Sequence, residues 1–237
     1  MSDTSTSLGD ALQEEPTPMP AVVSEPTSSI VDANYAPQIQ GEVDSSDIQI
    51  PRISLVQKTS QLADEFSTGD FVLAKVIGLG STFDFITLGL RTYFQEDLDY
   101  DSDEMPRVWD SRQAMETAGF STKWETTSPR AVKMIDAMLL IAGESDHESG
   151  QFADSHDGVG YARAMYTVRG SAYRLFAKPI ITAGTIGHLK SDLAGGLWTT
   201  KSEVQSSGKN TWFAPTVRPN GAVSAKLRKW ITKTFDV

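Results

Sequence analysis

Residues Gly160 to Val217 read GYARAMYTVRGSAYRLFAKPIITAGTIGHLKSDLAGGLWTTKSEVQSSGKNTWFAPTV, and this stretch decides the fold. Short strand-like runs are separated by glycine turns, and rings alternate with cations: Tyr161, Arg163, Tyr166, Arg169, Tyr173, Arg174, Phe176, Lys178, Trp198, Lys201, Lys209, Trp212 and Phe213. Flat rings beside positive charges are what a surface needs to stack bases and follow phosphates. The competing reading is a β-rich domain that buries these aromatics in its core. Tyr161–Val168 predicts a strand. Ser171–Gly184 is either a short helix stopped by Pro179 or another strand. Leu197–Val204 and Asn210–Val217 flank the turn Gln205–Lys209 and predict a hairpin.

Beyond the stretch, Val223–Phe235 places Leu227, Trp230, Ile231 and Phe235 on one helical face, with Lys226, Arg228, Lys229 and Lys233 elsewhere. Upstream, Ile48–Ser60 alternates about Pro51 as an edge strand does. Ser67–Asp70 is a turn, Phe71–Gly80 a mostly apolar strand, and Thr82–Phe94 a third strand with Gly89 at a bulge. The short connections suit a meander. Val108–Gly119 predicts a short helix, with Asp110 or Ser111 as N-cap and Gly119 as C-cap. Ala131–Gly143 is ambiguous: Val132, Ile135, Met138, Leu139 and Ala142 fit helical spacing, whereas Met138–Ala142 is a continuous apolar run. A strand over the latter half is expected.

The 237 residues carry a net charge of −10, unevenly distributed. Residues 1–51 hold nine acids and no base, and residues 159–237 hold twelve Lys and Arg against Asp192, Glu203 and Asp236. An acidic protein therefore contains a basic third, and nucleic-acid binding depends on such local charge. Residues 1–46 are rich in Ser, Thr, Pro, Asp and Glu without periodicity, which predicts a disordered acidic arm ahead of a single domain over 47–237. The arm either aids solubility, competes with nucleic acid for the basic third, or docks a partner.

No apolar run approaches the roughly 20 residues that span a bilayer, and the start MSDTSTSLGD has neither a basic nor an apolar leader region. A cytoplasmic location is expected. The absence of cysteine excludes disulfides, thiolate zinc sites and cysteine nucleophiles. Asp97, Asp99, Asp101 and Asp103 have the alternate spacing of an EF-hand loop, but Ser102 stands where the turn needs glycine and Val108 where a bidentate Glu is needed. His147 and His156 lie among carboxylates without compact ligand spacing. There is no phosphate loop, dinucleotide fingerprint, nucleophile elbow or HExxH. A non-enzyme with neither cofactor nor metal is the expectation, a carboxylate-based nuclease being the catalytic rival.

The run IPRISLVQKTS (Ile50–Ser60) with the GDF turn at Gly69–Phe71, the segment VWDSRQAMETAGF (Val108–Phe120), GYARAMYTVRGSAYRLFAKPI (Gly160–Ile180) and LWTTKSEVQSSGKNTWFAPTV (Leu197–Val217) resemble phage-encoded OB-fold single-stranded DNA-binding proteins. That resemblance implies a mainly β, α+β domain: an OB-like Greek-key β-barrel with a few short helices and a C-terminal helix, whose groove binds strands in phage replication or recombination. Several such proteins end in an acidic, aromatic-tipped tail that recruits partners. This chain ends KWITKTFDV, and its acidic arm is N-terminal. The expected function is non-catalytic binding of single-stranded DNA, with replication or recombination proteins as candidate partners of the arm and a homo-oligomer as a candidate assembly. The expected stackers are Tyr161, Tyr166, Tyr173, Trp198, Trp212 and Phe213. The expected phosphate partners are Arg163, Arg169, Arg174, Lys178, Lys201 and Lys209. Strand alternation lets only one face of each run meet DNA, so about half of these residues should turn away. The alternative is a phage virion structural or assembly protein.

Overall fold

A computed structural model describes residues 49–99, 102–123, 128–144, 147, 149–190 and 192–237. The expected acidic arm over 1–46 and Trp124 lie outside the described residues. Ile48–Val237 form one compact unit. Its strands are β1 (Ile53–Leu55), β2 (Phe71–Leu73), β3 (Ile77–Gly80), β4 (Thr82–Glu96), β5 (Val108–Trp109), β6 (Ala131–Gly143), β7 (Asp154–His156), β8 (Val159–Arg169), β9 (Gly196–Ser207) and β10 (Asn210–Ala222). The first three make a small antiparallel sheet. The others make a larger antiparallel sheet in the order β10-β9-β4-β6-β8-β7, with β5 added to β4. The fold is mainly β with a few short helices. Among the described residues no helix is long and apolar enough to cross a membrane.

Phe71–Gly80 is two strands where one was expected. Ala74 and Lys75 adopt φ of 53° and 65°, a left-handed turn that reverses the chain between β2 and β3. These are not the Gly or Asn that ordinarily mark such turns. The meander is confined to β1–β3, because β4 leaves for the larger sheet. There it carries a bulge between Thr87 and Gly89.

The ambiguous Ala131–Gly143 is strand throughout, hydrogen-bonded to β4 on one side and β8 on the other. Both of its faces are covered: Ile135, Ala137, Leu139 and Ile141 enter the main core, while Leu140 packs in a second cluster. Two-sided burial removes the polar alternation that marks a half-buried strand.

The undecided Ser171–Gly184 is helical. A central helix runs through Gly170–Ala172, a wider π turn at Tyr173–Ala177, and Lys178–Thr185. Pro179 lies inside it. A proline ring crowds the carbonyl four residues back and has no N–H to offer it. The turn just before opens, so that Lys178 N–H bonds the Tyr173 carbonyl five residues away.

The remaining elements follow local rules. Ser111 Oγ accepts from Ala114 N–H to start the short helix Arg112–Thr117. β9 and β10 form the expected hairpin, longer than the sequence indicated. Ser224 caps the C-terminal helix Ala225–Phe235, which covers part of the sheet with Leu227, Trp230, Ile231 and Phe235.

β1–β3 and the central helix cover the opposite face of the larger sheet. Phe71 meets Phe83 edge-on at 5.1 Å, Phe85 stacks on Phe176 at 5.4 Å, and Tyr166 meets Phe176 edge-on at 5.1 Å. The backbone ladder does not close on itself. β1 occupies the interval: its start lies beside β8, with Met165 N–H bonded to Pro51 O at 2.8 Å, and its end reaches β10. Gln57 makes that second junction with its side chain, Nε2 donating to Phe213 O and Oε1 accepting from Phe213 N–H, both at 2.9 Å. Replacing Gln57 by Ala leaves both backbone groups without partners. It should cost about 1–3 kcal/mol, read as a lower urea midpoint at unchanged slope.

Candidate nucleic-acid interface

The central helix runs along β10, and an open cleft lies at each end of the seam between them. The first, of about 660 Å³, is bounded by β1 and the residues after it, the end of β8, the start of the helix and Thr211–Pro215 of β10. The second, of about 440 Å³, lies between Arg174, Lys178 and Thr182 of the helix, His188, Trp198 and Pro219. Ser171 in the first and Thr182 in the second are ~16 Å apart along a helix axis.

Among the described residues no carboxylate lines either cleft. Lys58 and Arg169 border the first, and Arg174 and Lys178 border the second. Lys58, Arg174 and Lys178 are exposed and, among the described residues, form no ion pair. Arg169 lies 3.8 Å from Asp97, a carboxylate already held by Arg130 at 3.2 Å. Trp212 is half-buried at the seam, its indole N–H donating to Ser171 Oγ at 3.0 Å. The ring of Phe213 lies over Gly69, where a Cβ would stand 2.7 Å away and φ is +95°, so only glycine suits that position.

The sequence-expected residues are split among several places. Tyr166, Arg169, Trp212 and Phe213 share the first cleft, and Arg174, Lys178 and Trp198 the second. Tyr173 is half-buried beneath Lys133, whose ammonium lies 4.8 Å from the ring centre. Tyr161 and Arg163 point to the other face of the sheet. There Tyr161 packs 5.2 Å from Trp230, and Arg163 pairs with Asp154 at 3.2 Å while covering Phe235. Lys201 and Lys209 are exposed on the β9–β10 hairpin and line neither cleft. One shared concavity is therefore not what the chain builds.

Burial also corrects three of the expected stackers. Trp198 is 1% exposed, Tyr166 4% and Tyr161 8%, so no ring face among them is free for a base. Residues that sequence reasoning missed are Gln57, Lys58, Ser171 and His188. Lys58 sits far from the basic third in sequence and reaches the cleft only through the contact of β1 with β10.

No family model matches the chain, and neither does any curated protein or solved structure. The class that the fold and the seam define is a mainly β domain with two cation-bordered clefts that no carboxylate among the described residues lines.

Burial raises the pKa of Tyr161 and Tyr166, and of Tyr93, where neighbouring Asp136 adds to the effect. A raised folded pKa means stability that is complete below the unfolded phenol value of about 10 and is lost as pH rises beyond it. Alkaline titration followed at 295 nm should show Tyr166 ionising only as the protein unfolds. Tyr166→Phe should flatten the decline of stability above pH ~10.

Proposed function

We propose that this domain binds single-stranded DNA along the seam between the central helix and β10, without catalysing a reaction, in the setting of replication or recombination that the phage resemblance implies. The observation that carries this reading is the pair of clefts which, among the described residues, no carboxylate lines and which are bordered by Lys58, Arg174 and Lys178 without ion-pair partners, in a chain whose net charge is −10. Cations without an ion-pair partner beside a cleft without carboxylates make a local positive field that attracts and aligns a polyanion. Trp212 supplies a stacking surface next to them, and stacking tolerates any base.

The OB-like barrel belongs to the same proposal. β1 bridges from β8 to β10, and Gln57 takes the part of a ladder pair at the junction, which supports a ring of strands interrupted at the groove. In that arrangement strand binding falls where the ring is open.

The test is a tryptophan-fluorescence titration with oligo-dT at several salt concentrations. Three or four neutralised phosphates give a log–log slope of roughly −2 to −3 at about −0.7 per phosphate. Replacing both Arg174 and Lys178 by Ala should shrink the slope by about 1.4 and weaken binding, while Lys209→Ala changes little. Trp212→Phe should remove most of the quenching. Absence of oligo-dT binding, or a slope indifferent to the double replacement, rejects the reading.

A further inference from the structure

The second cleft is bordered by one titratable group besides its two permanent cations. His188 lines it together with Arg174 and Lys178, is exposed, and has no side-chain hydrogen bond or ion pair among the described residues. Imidazole is the side chain whose charge changes between pH 5 and 8. Whether this cleft presents two positive charges or three therefore depends on pH. The other two histidines are placed differently and line neither cleft: His147 Nδ1 lies 2.9 Å from Ser149 Oγ, and the His156 ring stacks on Trp230 at 5.0 Å.

Local packing fixes the position of His188. At the end of the central helix the N–H groups of Ile186 and Gly187 both bond Thr182 O at 3.0 Å, and the chain turns back against the helix. A Cβ at Gly187 would stand 2.7 Å from Ala183 Cα and 2.9 Å from its carbonyl oxygen, contacts that only glycine avoids. One residue beyond His188, Leu189 is buried in the main core, its N–H bonded to Ala183 O at 3.2 Å. His188 is held between these two anchored positions at the border of the cleft. The charged groups facing it from the helix are Arg174 and Lys178, while β9 and β10 contribute Trp198 and Pro219 and no charge. Next to these in sequence, Arg218 and Lys190 are exposed cations, and the nearby Asp192 is held by Arg228 at 2.8 Å.

Resting on the single-strand reading above, we propose that His188 is a third phosphate-binding group of the second cleft, engaged when its imidazole is protonated, so that strand binding is coupled to uptake of a proton from solvent at this residue. Imidazolium carries a charge and donates from both ring nitrogens, whereas neutral imidazole is uncharged and keeps one nitrogen as an acceptor. A phosphate diester offers only acceptors, so it is matched by the first form and not by the second. Coupling of this kind is reciprocal: a strand held better by the protonated ring raises the proton affinity of that ring by the same factor.

The experiment compares full-length wild type with His188→Gln for affinity to a short oligo-dT, and for its salt slope, at pH 8 and pH 5.5. Other groups also gain protons over this interval, so the informative quantity is the difference between the two proteins. At pH 8 they should bind alike. At pH 5.5 wild type should bind roughly three- to tenfold tighter than the variant, the worth of one hydrogen bond, with a slope steeper by about 0.7, one further neutralised phosphate. Titration calorimetry of wild type near pH 6.5, in buffers of different ionisation enthalpy, should show net proton uptake on binding, and that measurement needs no variant to fold. No proton uptake by wild type, or the same pH dependence in both proteins, overturns the role of His188 while leaving the single-strand reading standing. Wild type that binds oligo-dT at neither pH overturns both.

Discussion

The primary amide of Gln57 is bonded in both directions to the backbone of Phe213, and the shape of the whole domain follows from that junction. Two strands in a ladder exchange N–H and C=O groups residue by residue. Here a side chain supplies one such exchange across 156 positions of sequence, and the pairing goes no further. β8 and β10 are consequently kept apart by β1, and the interval remains open as the first cleft. Direct zipping of β10 onto β8 would place backbone where the cleft now reaches Tyr166. The first cleft is thus the place where the ladder stops, and the stop is held by two hydrogen bonds.

Charge is arranged on the same plan. The basic third holds twelve cations, but several are already engaged: Arg163 with Asp154, Lys226 with Asp157, and Arg228 with Asp192. Exposed pairs of this kind contribute at most about 1 kcal/mol each to stability, yet they cancel the field of the cations they hold. Arg174 and Lys178 escape this because the acids that supply the pairs lie on β7, on the turn after it and in the loop before β9. The helix face at the second cleft carries none. A sequence count of positive charge therefore overstates the free positive charge, and Arg174 and Lys178 at the second cleft are two of the cations that keep theirs among the described residues.

Much of the architecture was legible because local rules act alone there. The β9–β10 hairpin, the Ser111-capped helix and the amphipathic C-terminal helix each carry their own punctuation. What escaped had competing causes. β6 resembled a helix because burial on both faces erases alternation. The central helix was masked by Pro179, which a widened turn accommodates. The β2–β3 turn was hidden by Ala74 and Lys75, residues that do not advertise a left-handed backbone. For the site the difficulty was different. Alternation separates Tyr161 and Arg163 from Tyr166, but nothing in the local sequence says which face turns inward. That was decided by the central helix and β2, whose Phe176 and Phe71 close over Tyr166. Lys58 was invisible because its contribution depends on a contact between the two ends of the fold.

The same packing fixes some side chains of the clefts in advance and leaves others loose. Binding loses affinity when side chains must be immobilised on contact, so groups fixed in advance are worth more than equivalent mobile ones. Ser171 fixes the Trp212 indole, Gly69 lets the Phe213 ring lie flat against the backbone, and Phe71 with Phe176 hold Tyr166. Arg174 and Lys178 remain long and exposed, able to follow a flexible backbone. The contrast is one of order: fixed rings line the first cleft, and long exposed cations border the second. The wide turn ahead of Pro179 is part of it, because it lets Phe176, Ala177 and Ile180 enter the core while Arg174 and Lys178 face the second cleft.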